Sequence, residues 1–482
     1  MQELINKLNQ LEKHSAILEP SEKQREHYQK ELHKYSSQFI REIDEHPSFI
    51  EGHGKTDALK FEGSSKSFSE LLSLYHEEVT LKGINPASGG HLGYIPGGGI
   101  YTASLADYLA CVTNEYAGMY YGSPGAVTIE NDLIEWMKGV FNFPKSAIGN
   151  LTSGGSIANL IALTAARDHH QIKNELIHKS VIYVSEQVHH CIHKALRIIG
   201  LSEVIIRHID LDENSRIQAN FLEELVKTDL QNNLNPFMVI ASAGTTDTGA
   251  IDPLKTIGEI AEKHKLWYHI DGAYGGFFIL VDDKKNDFDG IEMADSLVID
   301  PHKSLFLPYG LGAVLVKNKE AVFTSHHYTA NYMQDALSDY SIINPADVSP
   351  ELTKHFRGLR LWIPLQLHGI EPFKASLEEK IVLTHYFRAL LKDIGFKLGP
   401  EPDLSVSYFW FPSEEIDKNE FNKKLLEFIH EDGSVFLSST IINSQFVIRM
   451  AILAFRTKKN TIDKGIQMIT ECLQKTKAYY NM

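Results

Sequence analysis

Between about residues 126 and 320, apolar runs of strand length alternate with stretches of helical periodicity. The runs are Val181-Ile182-Tyr183-Val184, Val204-Ile205-Ile206, Phe237-Met238-Val239-Ile240, Trp267-Tyr268-His269-Ile270, Leu297-Val298-Ile299 and Ala313-Val314-Leu315-Val316. Apolar spacing predicts helices over 130–140, 156–167, 220–227 and 254–264. A strand that is apolar on both faces needs cover on both, and intervening helices supply it. The alternation therefore predicts a mostly parallel sheet covered by helices. In such sheets the loops beyond the carboxyl ends of the strands hold the site.

Those strand ends are chemically unusual. Leu297-Val298-Ile299 runs into Asp300-Pro301-His302-Lys303. Pro301 cannot continue a ladder and biases Asp300 towards an extended conformation, so the chain turns where His302 and Lys303 begin. A lysine at a hydrophobic strand end loses its proton more easily than a solvated one, as Schiff-base chemistry requires. The ordinary alternative is a surface lysine. Thr152-Ser153-Gly154-Gly155-Ser156 opens a helix and offers free backbone N–H groups to an anion, or is a plain cap. Asp271 ends the run from Trp267. It could keep a pyridine nitrogen protonated, cap its turn or bind a metal. Ser185 to His193 holds three histidines and a cysteine, but zinc would need further ligands of compatible spacing, and no matching pair occurs elsewhere. A histidine stacked flat on a cofactor ring suits that strand end better. Thr246, in Ala241 to Gly249, could bond a cofactor oxygen or sit in a plain turn.

Length and charge bound the rest. The 482 residues, 43% hydrophobic, suffice for two or three domains. A net charge of −15 argues against nucleic acid or an anionic membrane as the main partner. Three widely spaced cysteines suggest no disulfide framework. The start lacks the features of a signal peptide, and no apolar run approaches ~18 residues, so a soluble, cytoplasmic protein is expected. Residues 1–84 carry only narrow apolar stripes (Leu4, Leu8, Leu11, Leu18; Phe68, Leu71, Leu72, Tyr75), which need another surface, such as a second subunit. From 85 to 125 glycines are dense among His91, Tyr94, Pro96 and Tyr101, as expected of backbone held near a ligand or in unusual turns. A polar stretch over 324–352 reads as a long loop. Residues 85–370 are expected to form the large α/β domain and 371–482 a smaller α+β domain. In the smaller domain, helices are expected over 373–392 and 461–475 and strands near 405–411 and 446–453.

Four stretches converge on one family: T-S-G-G-S-x-A-N at 152–159, H-x-D-x-A-Y at 269–274, P-H-K at 301–303 and F-R-G-L-R-L-W at 356–362. With them, from about 65 to 475, the chain resembles the group II pyridoxal phosphate-dependent decarboxylases, which include the aromatic-amino-acid and glutamate decarboxylases. The resemblance implies fold type I: a mostly parallel seven-stranded sheet with helices on both faces, plus a smaller C-terminal α+β domain. It also implies pyridoxal 5'-phosphate as cofactor, no metal, and a homodimer with the site at the subunit interface. By the same resemblance Lys303 is the Schiff-base lysine and Asp271 pairs with the pyridine nitrogen. His189 stacks on the ring, Ala273 packs on its other face, and Thr246 lies near the ring substituents. Gly155, Ser156, Ser296 and His302 would hold the phosphate. The proton donor on the loop is Tyr332, with Tyr328 as its rival. Tyr94, Pro96 and Gly97 mark the substrate pocket.

The reaction implied is decarboxylation of an L-amino acid to the amine and CO2. Aromatic substrates are the first choice, and glutamate or another acidic or polar amino acid the alternative. A carbon–carbon lyase using the same cofactor and a non-catalytic dimeric scaffold are the competing classes. The chain departs from the family's usual pattern at Asp300, where asparagine is common, at Ser304, where tryptophan is common, and in the glycines of Gly93-Tyr94-Ile95-Pro96-Gly97-Gly98-Gly99. A carboxylate at 300 must point away from a phosphate or be compensated. Arg449 is expected to be structural rather than to bind a substrate carboxylate.

Overall fold

The structure is a computed structural model that describes residues 1–52, 57–327 and 342–482. A short ribbon pairs Phe49–Ile50 (β1) with Gly83–Ile84 (β2). The central sheet is built from Ile148–Thr152 (β3), Ser180–Ser185 (β4), Ile205–Ile209 (β5), Asn235–Ser242 (β6), Trp267–Asp271 (β7), Ser296–Ile299 (β8) and Gly312–Val316 (β9). Their order is β3-β9-β8-β7-β6-β4-β5, and β9 alone runs antiparallel to its neighbours. The mostly parallel seven-stranded sheet expected from the sequence is therefore present. Six of its strands follow the apolar runs. The seventh, β3, is interrupted by Gly149 and Asn150. Asn150 is buried and bonded: Lys354 Nζ donates to its side-chain oxygen (3.0 Å). A polar residue satisfied by a distant lysine hides a core strand from periodicity.

Alternate residues of one strand feed two cores. Val181 and Tyr183 of β4 pack on one face, and Ile182 and Val184 on the other. Helices cover both faces. The one over Gly155–His169 lies on the second core, and Pro124–Val140 on the first. The latter begins at a proline in its first turn, where the missing N–H costs nothing, so it starts earlier than the predicted 130.

A second, antiparallel sheet joins Lys397–Leu398 (β10), Val406–Trp410 (β11), Ser438–Ile442 (β12) and Gln445–Ala451 (β13) in the order β10-β11-β13-β12. Helices Glu371–Asp393, Lys418–Asp432 and Lys459–Tyr479 supply residues to the separate core behind it. The glycine-rich segment links the two sheets: Leu92 exchanges backbone bonds with Phe436 and Ala451, and Ile100 N–H donates to Phe306. A Cβ at Gly97 would lie 2.2 Å from the His302 carbonyl oxygen, so this glycine serves close backbone packing beneath the lysine turn. The N-terminal helices Gln2–Ser15 and Glu22–Glu42 bury no residue. Among the described residues, no helix is long and apolar enough to cross a membrane.

Candidate active site

β8 stops at Ile299 because the next residues cannot extend it. Asp300 is extended (φ −115°, ψ 98°), and Pro301 starts a four-residue helical turn that carries His302 and Lys303. The Lys303 ammonium lies 3.2 Å from Asp300 Oδ2. His302 Nδ1–H donates to the Leu311 carbonyl (2.6 Å), leaving Nε2 3.8 Å from the same carboxylate oxygen. Burial pushes the His302 pKa below its ordinary value, against the pull of Asp300.

The end of β7 is built differently. Asp271 accepts the Ala273 N–H on Oδ1 (3.0 Å) and the Asn159 amide on Oδ2 (3.3 Å). Asn159 sits on the Gly155–His169 helix, and its carbonyl oxygen lies 2.7 Å from His269 Nε2. His269 Nδ1 in turn lies 2.8 Å from Ser296 Oγ, which accepts the Trp267 indole N–H (2.8 Å). Donor logic then assigns the tautomer. The Ser296 hydroxyl donates to Nδ1, Nε2–H donates to Asn159, and the Asn159 amide donates to Asp271. Burial lowers the His269 pKa to about 4, so the ring is neutral as this chain requires.

β4 leads to His189, whose Nδ1 accepts the Cys191 N–H (3.3 Å). Desolvation lowers its pKa and outweighs the attraction of Asp271, which favours a neutral ring suited to stacking. The Gly155–His169 helix begins at the other side. The N–H groups of Gly155 and Ser156, its first two residues, have no intrahelical acceptor.

These strand ends enclose a cavity of about 250 Å³ lined by Gly155, Ser156, His189, Thr246, Asp271, Ala273, His302 and Lys303, together with Asn159, Gln187 and Asp300. Most of the residues expected to bind the cofactor are thus brought together. Ser296 is not. It lies at the opposite end of its strand, aligned with His269, and its hydroxyl is engaged by His269 and Trp267, so it leaves the phosphate set for the chain behind Asp271. Tyr94, Pro96 and Gly97 do not line this cavity. Tyr94 is 59% exposed, and its carbonyl accepts Arg449 Nη1 (3.0 Å). Arg449 Nε also donates to the Thr246 carbonyl (2.9 Å), so the buried guanidinium ties the tyrosine segment to the cavity wall. Tyr332 and Tyr328 lie outside the described residues. Asn159 and His269 were missed as functional residues although both stood inside matched stretches. Their signal was a polar side chain at a position that the helix or strand buries.

The residues present fit a phosphate-bearing pyridine aldehyde. Free N–H groups at a helix start, next to glycine, suit the phosphate. At Gly155 an added Cβ would lie 2.9 Å from Asp300 Oδ2 and 3.3 Å from Ala273 Cβ, so only hydrogen leaves that cradle open. A braced carboxylate suits the ring nitrogen, a neutral imidazole suits its face, and a lysine suits the aldehyde. Gln187 Oε1 and Asp300 Oδ1 are buried and have no partner among the described residues. Only Asp300 is out of character, being an anion beside an anion's cradle.

The family model described as "Pyridoxal-dependent decarboxylase conserved domain" matches residues 77–411. An aromatic-L-amino-acid decarboxylase from Bacillus atrophaeus is 35% identical over 372 residues, covering 76% of this chain and 77% of the relative. A phenylacetaldehyde synthase from Arabidopsis thaliana is 28% identical, covering 78% of this chain and 80% of that protein. Among solved structures, Oryza sativa TDC with PLP and tryptamine superposes with a TM-score of 0.88 at 21% identity, covering 95% of this chain and 99% of that one.

Proposed function

The chain belongs to the pyridoxal-dependent decarboxylase family, and we propose that its substrate is an aromatic L-amino acid. It is a pyridoxal phosphate-dependent amino acid decarboxylase. The observation that carries the proposed roles is the convergence of Lys303, Asp271, His189 and the Gly155-Ser156 N–H groups on one cavity. When bound, pyridoxal phosphate supplies the electron sink that accepts the bonding pair as CO2 leaves. Lys303 would hold the cofactor's carbonyl carbon and yield it to the substrate amine. Asp271, braced by two N–H donors, would hold a proton on the ring nitrogen. His189 would keep the ring flat against Ala273. Gly155, Ser156 and His302 would hold the phosphate, and Thr246 would contact the ring substituents. Tyr332 is the proposed donor of the proton that replaces the carboxylate at Cα, with Tyr328 as the alternative.

Two features support an aromatic side chain over an acidic one. The Bacillus relative acts on aromatic amino acids by its name. Among the described residues that line the cavity, Lys303 is the only lysine or arginine, and the guanidinium of Arg449 is already bonded to backbone carbonyls. A second carboxylate on the substrate would lack a cation. An aromatic cluster stands on the segment that Arg449 ties to the cavity wall: Tyr94 packs against Phe436 at 5.7 Å between centroids, and His91 against Phe436 at 5.5 Å. With Pro96 and Gly97, Tyr94 remains the proposed substrate-side wall.

A homodimer is also proposed. Leu4, Leu8 and Leu11 on the first helix and Leu105, Tyr108, Leu109 and Val112 on helix Tyr101–Thr113 are exposed and need cover. A cytoplasmic site of action is proposed from the composition. The test is to purify the protein with pyridoxal phosphate and screen amino acids for CO2, amine and aldehyde. Amine from tryptophan, tyrosine or phenylalanine supports the reading. CO2 from glutamate alone would overturn it, and aldehyde in place of amine would move the chain towards the reaction named for the Arabidopsis relative.

A further inference from the structure

The second acid of the site has no part in the roles above. Asp300 is 1% exposed, and its Oδ1 has no hydrogen-bond partner among the described residues. Its Oδ2 is held by Lys303 at 3.2 Å, with His302 Nε2 farther off at 3.8 Å. Two glycines face the carboxylate. A Cβ at Gly312 would lie 2.5 Å from Oδ1, and one at Gly155 2.9 Å from Oδ2. The second of these is the first residue of the helix whose free N–H groups form the anion cradle. The carboxylate therefore abuts the place where a phosphate would sit, and its nearest cation is the lysine that the cofactor must engage.

We propose that Asp300 is a determinant of cofactor affinity that acts against the phosphate. It faces the cradle with a like charge and clamps Lys303 while the cofactor is absent, so the chain binds pyridoxal phosphate more weakly, and releases it more readily, than a neutral residue here would allow. The physical reason is Coulombic. A buried carboxylate and a phosphate a few ångströms apart are poorly screened, whereas an amide of the same size repels nothing and can donate to the phosphate oxygen. This inference rests on the cofactor assignment, and the experiment separates the two.

Equilibrium binding of pyridoxal phosphate and of pyridoxal, which lacks the phosphate, is measured by visible absorbance and intrinsic fluorescence on the wild-type chain and on Asp300→Asn. The quantity read is the ratio of the two affinities, because release of Lys303 from its ion pair affects both ligands whereas the repulsion affects only one. The ratio is expected to rise at least tenfold in favour of pyridoxal phosphate, which corresponds to about 1.4 kcal/mol. An unchanged or smaller ratio overturns the proposal. Asp300→Ser, which also removes the charge, is read in the same way and decides the matter if Asp300→Asn does not fold. Failure of the wild-type chain to bind pyridoxal phosphate at all would instead sink the cofactor assignment.

Discussion

Two adjacent parallel strands, β7 and β8, each end in a buried aspartate, and the two ends are built on opposite principles. Asp271 has a donor on each oxygen, one from the backbone of its own turn and one from Asn159. Behind Asn159 stand His269, Ser296 and Trp267, none of which touches the cavity. Its position is set by protein contacts that need no ligand. Asp300 has one oxygen on Lys303 and, among the described residues, no partner for the other. Among the described residues, its nearest partner is Lys303, the proposed Schiff-base lysine. The carboxylate proposed to face the ring nitrogen is braced by neutral donors. One that meets a changing partner is left half open.

The largest expected effect comes from the open end. Lys303→Ala should abolish turnover and the visible absorbance of lysine-bound cofactor. It should also leave the Asp300 carboxylate buried without a counter-ion, a loss of about 1–3 kcal/mol of stability in the cofactor-free protein. Chemical denaturation of Lys303→Ala against Lys303→Ala/Asp300→Asn checks this, because the second change should restore the stability. Retained decarboxylation in Lys303→Ala would remove the lysine from its role. At the braced end, Asp271→Asn keeps the shape and removes the charge. A fall in kcat of roughly 10²–10³-fold is expected, the scale of losing a preorganised electrostatic contact. A wild-type kcat would mean that the ring nitrogen does not depend on Asp271.

The contrast also shows what could be read before any coordinates. The strand ends were legible because apolar runs stop at Asp271 and Asp300, and Pro301 marks the turn without ambiguity. The proposed roles of Lys303, Asp271 and His189 rest on residue type, position and family resemblance, and these side chains do share one cavity. The bracing chain was not legible. Ser296 reads as a strand-end hydroxyl near the lysine, and only the parallel register of β8 on β7 places it opposite His269, away from the cavity. β3 escaped for a related reason. Asn150 breaks its apolar run, and the lysine that satisfies it, Lys354, is far away in sequence. Partners set by tertiary contact leave no periodic trace.

A smaller effect follows from turning the braced end into the open kind. Asn159→Ala removes the donor on Asp271 Oδ2 and gives this acid the same unpartnered oxygen that Asp300 has. Asp271 keeps its charge and its Ala273 contact, so the cofactor should still bind. The carboxylate should be less well aimed, and a fall of roughly ten- to a hundredfold in kcat with little change in KM is expected. Steady-state kinetics on fully loaded enzyme makes the check. A loss confined to KM, or no loss, would mean that the Asn159 bond does not position Asp271.

The smallest effect is on stability, and its sign follows from the same chain. Burial holds His269 at about 4 against an ordinary value of 6.5, so the folded protein favours the neutral ring. Above pH 6.5 both folded and unfolded histidine are neutral, and the contribution is fully present. As the pH falls from 6.5 towards 4, the unfolded chain takes up a proton that the fold refuses. Each pH unit in that window then costs about 1.4 kcal/mol. Asp252 works in the opposite direction, because burial raises its pKa to about 7 and the fold gains a proton there as the pH falls. A comparison of two chains that share Asp252 cancels its part. Denaturant unfolding at pH 6.5 and pH 5 should show wild type losing about 2 kcal/mol more than His269→Asn, which has nothing to protonate. Equal losses would mean that His269 titrates normally, and that the chain behind Asp271 is not held in its neutral form by the fold.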